Sequence, residues 1–136
     1  MFALTAPGGA NAGSIRFDYA TATHIISGNT GARHSYGMNG DTGKLYIDSE
    51  QVGTFTSATI NNSNNIHLFG LNDNGTHSNP LQLIKIYSFS LFNGSTRILQ
   101  LMPYRIGTVG CFKDLLTDTF YYNAGSGDFG YGNDVI

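Results

Sequence analysis

The sequence predicts an all-β protein, and three observations support this. Apolar residues alternate with polar ones at a period of two, as Ile15, Phe17 and Tyr19 do in one segment, which is the pattern of a half-buried strand. Turn-forming sequences such as Asn39-Gly40-Asp41 and Asn93-Gly94 separate these segments, and both favour tight reversals of the chain. No segment shows the 3.6-residue period of an amphipathic helix. We therefore expect antiparallel strands joined by short turns.

The strands are predicted in chain order from the same alternation. After the segment around Phe17, Leu45 and Ile47 share one face of a second strand, whereas Tyr46 lies on the opposite face. Residues 65–71 predict a further strand, and residues 82–92 predict the longest one. In that longest strand the apolar phase changes, so we expect a β-bulge near Tyr87-Ser88, because one extra residue moves the following side chains to the other face.

Length and composition limit the classes of protein. A chain of 136 residues fits a single domain spanning residues 1–136. The net charge of −2, with 12% charged residues, gives no electrostatic basis for binding nucleic acid or an acidic membrane. Cys111 is the only cysteine, which excludes an intramolecular disulfide and a cysteine-based zinc cluster. The sequence begins without a signal-peptide pattern and has no apolar run of membrane-spanning length.

Two stretches of the sequence resemble a known family. The first, residues 33–52, reads R-H-S-Y-G-M-N-G-D-T-G-K-L-Y-I-D-S-E-Q-V; the second, residues 92–132, includes P-Y-R, G-C-F-K-D-L and T-F-Y-Y-N-A-G-S-G-D-F. In this order they are similar to concanavalin A-like (laminin-G-like) jelly-roll domains of bacteriophage virion proteins and gut-bacterial surface proteins. Ser49 stands where the family usually has a turn glycine, so the turn there is expected to be of a different type.

The resemblance implies an antiparallel two-sheet sandwich, a jelly roll of the concanavalin A-like type. Family members usually have further strands before a segment similar to Phe2–Thr5, so the chain is expected to lack N-terminal strands or to receive them from another chain. Open sheet edges invite pairing, and the resemblance therefore also implies self-association or assembly with neighbouring virion proteins. The expected location is a virion or a microbial cell surface.

Asp48 and Glu50 are the nearest approach to a catalytic pair of carboxylates. Residues two apart in a strand share a face, and a retaining glycosidase needs two carboxylates roughly 5 Å apart. Glu50 is the only glutamate in the chain, and both residues fall where a hairpin turn would place polar side chains. We therefore predict a structural role for them and no enzymatic activity.

The segment Asn72-Asp73-Asn74-Gly75 is the candidate for a metal site. Calcium prefers six to eight oxygen ligands, and one carboxylate among two amides supplies little charge for it. Asn-Gly is in itself a strong turn signal, so we expect a turn without metal and no cofactor, with calcium as the alternative. The four histidines show no metal-ligand spacing.

The chain has eight tyrosines and no tryptophan, and these tyrosines are the candidates for ligand contact. A flat ring beside amide and carboxylate groups suits the apolar face and the hydroxyls of a sugar, although tyrosine is also a preferred strand residue. The predicted ligand-contacting residues are Tyr46, Asn72, Asp73, Asn74 and Tyr104. The expected function is non-catalytic recognition of a glycan or a host-surface receptor, and the alternative is a structural virion component that acts by self-assembly.

Overall fold

In the computed structural model, every regular element of the described residues is a β-strand, which confirms the all-β prediction. The structure describes residues 2–5, 14–19, 22–27, 32–58, 66–68, 71–73, 76–78 and 85–130. No helix of membrane-spanning length and hydropathy occurs within these ranges. The chain divides into two compact units, Met1–Ile84 and Lys85–Ile136, which are described separately below. The assignment of residues 1–136 to one domain stays a prediction.

The described residues of the first unit form three antiparallel sheets, each made of consecutive strands. The first sheet is formed by β1 (Phe2–Thr5), β2 (Ser14–Tyr19) and β3 (Ala22–Ser27), the second by β4 (Tyr36–Asn39), β5 (Lys44–Ile47) and β6 (Glu50–Thr54), and the third by β7 (Leu71–Asp73) and β8 (Thr76–Ser78). A jelly roll also pairs strands that are distant in sequence, whereas the ladders among the described residues join strands that are neighbours in the chain. The jelly-roll topology therefore stays a prediction.

A small apolar core joins the first two sheets of this unit. Phe17 from β2 packs with Leu45 and Ile47 from β5, and all three are buried. Their burial confirms that Leu45 and Ile47 share the inner face of their strand, as the alternation predicts. Tyr36 and Met38 from β4 are partly buried against this cluster. Burying such side chains is worth about 1.5–3 kcal/mol each.

The turn between β4 and β5 places a glycine where no other residue fits well. The Asn39 side chain accepts hydrogen bonds from the backbone N–H groups of Asp41 and Thr42, both at 3.0 Å. Gly43 closes the turn with a φ of +63°, and its carbonyl accepts a hydrogen bond from the N–H of Phe55 at 2.8 Å. A Cβ at position 43 would overlap the carbonyl oxygen of Phe55.

The β5–β6 hairpin turns through two non-glycine residues with positive φ. Asp48 has a φ of 49° and Ser49 a φ of 71°, as a two-residue type I′ turn requires at both central positions. Glycine and asparagine are the usual residues there, so the turn needs side-chain support, which Asp48 receives from its neighbours as described below. Beyond the turn, Val52 is an extra residue between Gln51 and Gly53, which pair with Tyr46 and Leu45.

The second unit contains one four-stranded antiparallel sheet in the order β12-β11-β10-β9. Its strands are β9 (Phe89–Asn93), β10 (Thr96–Ile106), β11 (Val109–Asp114) and β12 (Phe120–Tyr121). Leu101 and Phe112 are buried on one face, where Phe129 meets the Phe112 ring edge-on at a centroid distance of 5.7 Å. Cys111 is also buried, and burial raises the pKa of its thiol.

A buried carboxylate organises the end of β11. Asp114 is only 1% exposed, and its Oδ1 accepts hydrogen bonds from the backbone N–H groups of Gln100 at 3.0 Å and Leu116 at 3.1 Å. Its Oδ2 accepts one from the Thr117 hydroxyl at 2.7 Å. The Thr117 hydroxyl bond is the main cause that holds the pKa of Asp114 below its ordinary value, and the backbone donors act in the same direction. Asp114 thus ties β10 to the turn that follows β11.

Two strand predictions need correction. Within the predicted strand at 65–71, Ile66–Leu68 are irregular with a bend at Leu68, and Leu71 belongs to β7; residues 65, 69 and 70 lie outside the described residues. Within the predicted long strand at 82–92, Lys85–Ser88 are irregular with a bend at Tyr87, and β9 begins at Phe89; residues 82–84 lie outside the described residues. The register shift lies on β10, where Ile98 is the extra residue between the Arg97–Phe92 and Leu99–Leu91 pairs. The predicted bulge near Tyr87-Ser88 is wrong, because these two residues precede β9 and belong to no strand.

Candidate functional site

A shallow depression at one end of the β4–β5–β6 sheet is the candidate site of the first unit. It has a volume of about 380 Å³ and is lined by Ser35, Tyr36, Gly37, Tyr46 and Ser49. Small-ligand sites have volumes of roughly 300–1,000 Å³, so the depression has the size of a small ligand. The Tyr46 ring supplies aromatic surface, and two serine residues supply polar groups.

The pairing of β4 with β5 creates the depression. Gly37 pairs with Tyr46 across the ladder, and paired residues of antiparallel strands point to the same face. A Cβ at Gly37 would lie 3.6 Å from Cβ and 3.9 Å from Cδ2 of Tyr46. The Tyr46 ring therefore leans over a position without a side chain, which leaves one face of the strand pair open.

Tyr36 lies between Ser35 and Gly37 in the lining, but it pairs with the buried Ile47, so its side chain lies on the core face of the sheet, opposite to Tyr46. Its ring meets the buried Phe17 ring edge-on at a centroid distance of 6.2 Å and the His34 ring at 6.0 Å. Burial raises the pKa of the Tyr36 hydroxyl, and the negative charge of Asp48 raises it further. The hydroxyl is therefore protonated at neutral pH.

Asp48 stands beside the depression and holds its rim in place. Its Oδ2 lies 2.6 Å from Nδ1 of His34, and its Oδ1 accepts the backbone N–H of Ser35 at 2.8 Å. Its own N–H donates to the Ser35 carbonyl at 2.9 Å. These contacts, with the His34 hydrogen bond as the largest cause, lower the pKa of Asp48, so it is anionic at neutral pH. The carboxylate supports the strained turn, which agrees with the structural role predicted for it, and the exposed Glu50 begins β6 directly after that turn.

Tyr104 belongs to a different cluster, on the sheet of the second unit. Its ring packs against Phe120 at a centroid distance of 5.5 Å. The ammonium of Lys113 lies 5.6 Å from the Tyr104 centroid and 5.5 Å from the Phe120 centroid. The same ammonium is 2.6 Å from Oδ1 of Asp118, a contact that raises the pKa of Lys113. The Tyr104 ring, although 48% exposed, already has a cation at its face.

Two of the remaining predicted contact residues lie on the third sheet of the first unit. Asn72 and Asp73 belong to β7, where they pair with His77 and Thr76, so both are strand residues, whereas the sequence predicted a turn that begins at Asn72. Asn74 lies outside the described residues. In the described part of the chain, no three His, Cys, Asp or Glu side chains are grouped as metal ligands would be.

Of the predicted contact residues that the structure describes, Tyr46 alone lines the depression. The sequence interpretation missed Ser35, Gly37 and Ser49, and it included Tyr36 only among the general set of tyrosines. The turn at Asn39-Gly40-Asp41 offered a usable signal. Counting pairs outward from that turn brings Gly37 opposite Tyr46, and a glycine facing an aromatic residue marks an opening in a sheet surface.

Comparison with protein-family models, with curated proteins and with solved structures finds no match. The resemblance to concanavalin A-like domains therefore rests on the two sequence stretches quoted above.

Proposed function

We propose that this protein is a non-catalytic recognition module that binds a glycan or a glycan-bearing surface receptor through the depression beside Tyr46. The observation that carries the proposal is the combination of the Tyr46 ring, two serines and an open glycine position in a concavity of small-ligand size. A sugar ring presents an apolar face to an aromatic ring and hydroxyls to polar groups at its edge.

The proposal extends to the fold and to the setting of the protein. A two-sheet sandwich of the concanavalin A-like type is supported by the core that Phe17, Leu45 and Ile47 form between two sheets of the first unit. The sequence resemblance to domains of virion and microbial surface proteins supports a place on such a surface. The use of both Asp48 oxygens in holding the turn favours binding over hydrolysis.

Binding should depend on the Tyr46 ring. We expect Tyr46→Ala to weaken the binding of a glycan selected on a glycan array by roughly tenfold, because the stacking surface is lost, whereas Tyr46→Phe should stay within about threefold of the wild type. Titration calorimetry on the selected glycan measures both. Tyr121→Ala, an exposed tyrosine of the second unit, is the matched control. An array without signal across glycan classes, or full affinity in Tyr46→Ala, would refute the site.

A second candidate function, self-assembly, is favoured by a different surface. Met102, Tyr104 and Ile106 alternate along β10, and Val109 pairs with Ile106; all four are exposed. We call these four residues the β10 face. Large exposed apolar patches commonly mark interaction sites, and a second copy of the chain is the partner that the oligomer prediction requires.

Self-assembly predicts a native mass above that of one chain. We expect light scattering coupled to size exclusion to show an oligomer and Ile106→Lys to shift it to the monomer, because a buried unpaired charge is costly at an apolar interface. Leu115→Lys is the control, since Leu115 is equally exposed but lies in the turn after β11. A wild-type monomer at all concentrations, or dissociation by the control variant alone, would contradict assembly through the β10 face.

A further inference from the structure

We propose that the binding site extends from the depression past the Tyr46 ring to Gln51, and that it takes a neutral oligosaccharide of at least two sugar residues. Gln51 is then a further ligand-contacting residue. This inference rests on the proposed function and specifies its ligand. It depends on the residues paired across the β4–β5–β6 sheet at Tyr46, on the chemistry of the Gln51 amide and on the charges along β5.

Three paired residues form one row on the outer face of the β4–β5–β6 sheet. Gly37 of β4 pairs with Tyr46 of β5, and Tyr46 pairs with Gln51 of β6. Paired residues of antiparallel strands point to the same face, and the buried Leu45 and Ile47 occupy the opposite face of β5. Because neighbouring strands lie about 4.8 Å apart, this outer row of Gly37, Tyr46 and Gln51 is roughly 10 Å wide.

The depression covers only part of the outer row. Its lining includes Gly37 and Tyr46, with Ser35 and Ser49 beside them, whereas Gln51 lies outside it. A sugar residue held at the open Gly37 position would contact Tyr46 from the β4 side. A second sugar residue linked to the first across Tyr46 would lie over β6, where Gln51 is the residue next to the ring.

The Gln51 side chain suits the hydroxyls of this second sugar residue. Its amide offers two N–H donors and an acceptor oxygen, and neighbouring sugar hydroxyls can both accept and donate hydrogen bonds. Gln51 is exposed, and no hydrogen bond of its side chain occurs among the described residues. The amide therefore meets a ligand without giving up a contact of the fold.

The charges along β5 favour a neutral ligand. Lys44 precedes Tyr46 by two residues and Asp48 follows it by two, and their charges are opposite in sign. Lys44 shares the outer face with Tyr46 because strand side chains alternate, while the Asp48 carboxylate bonds to His34 and Ser35 at the turn. A sugar acid would be attracted by one of these charges and repelled by the other, and so would an amino sugar.

The test is a glycan array that carries glucose, galactose, mannose and N-acetylglucosamine, each as the monosaccharide and as a disaccharide. The disaccharide with the strongest signal and its monosaccharide are then titrated in solution. Chemical-shift changes of the Tyr46 ring and of the Gln51 side-chain amide give the dissociation constants. We expect the disaccharide to bind about five- to tenfold more tightly, because it gains hydrogen bonds to Gln51. Only the disaccharide should shift the Gln51 amide signal.

Gln51→Ala is the decisive variant. We expect it to weaken disaccharide binding by about five- to tenfold and to leave monosaccharide binding within about twofold of the wild type. Glu50→Ala is the matched control, since Glu50 is the exposed neighbour in β6 but pairs with Ile47 and so belongs to the opposite face. Circular dichroism and the melting temperature verify that both variants fold. Full disaccharide affinity in Gln51→Ala, or an equal loss in Glu50→Ala, would overturn the role of Gln51.

The other outcomes separate the inference from the proposed function. Equal binding of monosaccharide and disaccharide would confine the site to the depression, which refutes the inference and leaves glycan recognition standing. Glucosamine and glucuronic acid, printed beside glucose, test the charge, and a preference of more than fivefold for either would overturn the neutral ligand. An array without signal from any of these sugars would overturn the inference and the proposed function together.

Discussion

Gly43→Ala is expected to lower the free energy of unfolding of the first unit by roughly 2–4 kcal/mol. The added methyl group would overlap the carbonyl oxygen of Phe55, which is backbone and is held by the Phe55 N–H bond to Gly43. The φ of +63° adds a cost of its own for any residue with a Cβ. Denaturant unfolding followed by circular dichroism measures the loss.

Gly107→Ala separates the steric overlap from the cost of the positive φ. Gly107 lies in the turn between β10 and β11 with a nearly identical φ of +62°, but a Cβ there would meet nothing within 4 Å. We expect it to cost only about 1 kcal/mol, so the difference between the variants reports the steric overlap. Equal losses in the two variants would show that the β4–β5 turn yields to the extra methyl group.

Asp114→Ala is expected to lower the melting temperature of the second unit by roughly 10 °C. The substitution leaves the N–H groups of Gln100 and Leu116 and the hydroxyl of Thr117 without their acceptor in a buried position. Asp114→Asn keeps one oxygen and should lose less. Asp128→Asn, an exposed aspartate of the same unit, is the control for the loss of one negative charge, and an unchanged melting temperature in Asp114→Ala would refute the role of Asp114.

The lowered pKa of Asp114 predicts that the stability of the fold depends on pH, with a definite sign. Hydrogen bonds from the Thr117 hydroxyl and from backbone N–H groups hold the pKa of Asp114 below its ordinary value of 3.8. A carboxyl with a lowered folded-state pKa stabilises the fold above the unfolded value, and this contribution is lost as the pH falls from about 4 through the folded-state pKa. Asp48 shares this direction, so the comparison of wild type with Asp114→Asn isolates Asp114. Parallel stability curves for the two proteins between pH 7 and pH 2 would contradict the assignment.

The local features of the fold were accessible from the sequence, whereas long-range pairings were not. Alternation placed Leu45 and Ile47 on one face, and both are buried, because a strand period of two is written into consecutive residues. The phase change around Tyr87 was visible too, but a bend and a bulge produce the same pattern. The structure has the bend, at Tyr87 and before β9 begins at Phe89.

The candidate site shows the same contrast between features that one strand reveals and contacts that depend on two strands. Tyr46 was predicted because an exposed aromatic residue in a hairpin can be recognised from its own strand. The burial of Asp114 depends on Gln100, fourteen residues away, and the support of Asp48 depends on His34 at the same separation. Such contacts arise only after two strands have found their register, so composition and spacing could not reveal them.

The consecutive pairing of strands has a consequence for how the protein is made. In the described sheets each strand pairs with one that directly precedes or follows it in the chain, so each ladder can close as soon as its second strand has emerged from the ribosome. Short-range pairing of this kind requires little loop-closure entropy and favours rapid folding. The contact of Phe17 with Leu45 and Ile47 must wait for a longer stretch of chain. During synthesis, hairpins of the first unit are thus expected to precede its core.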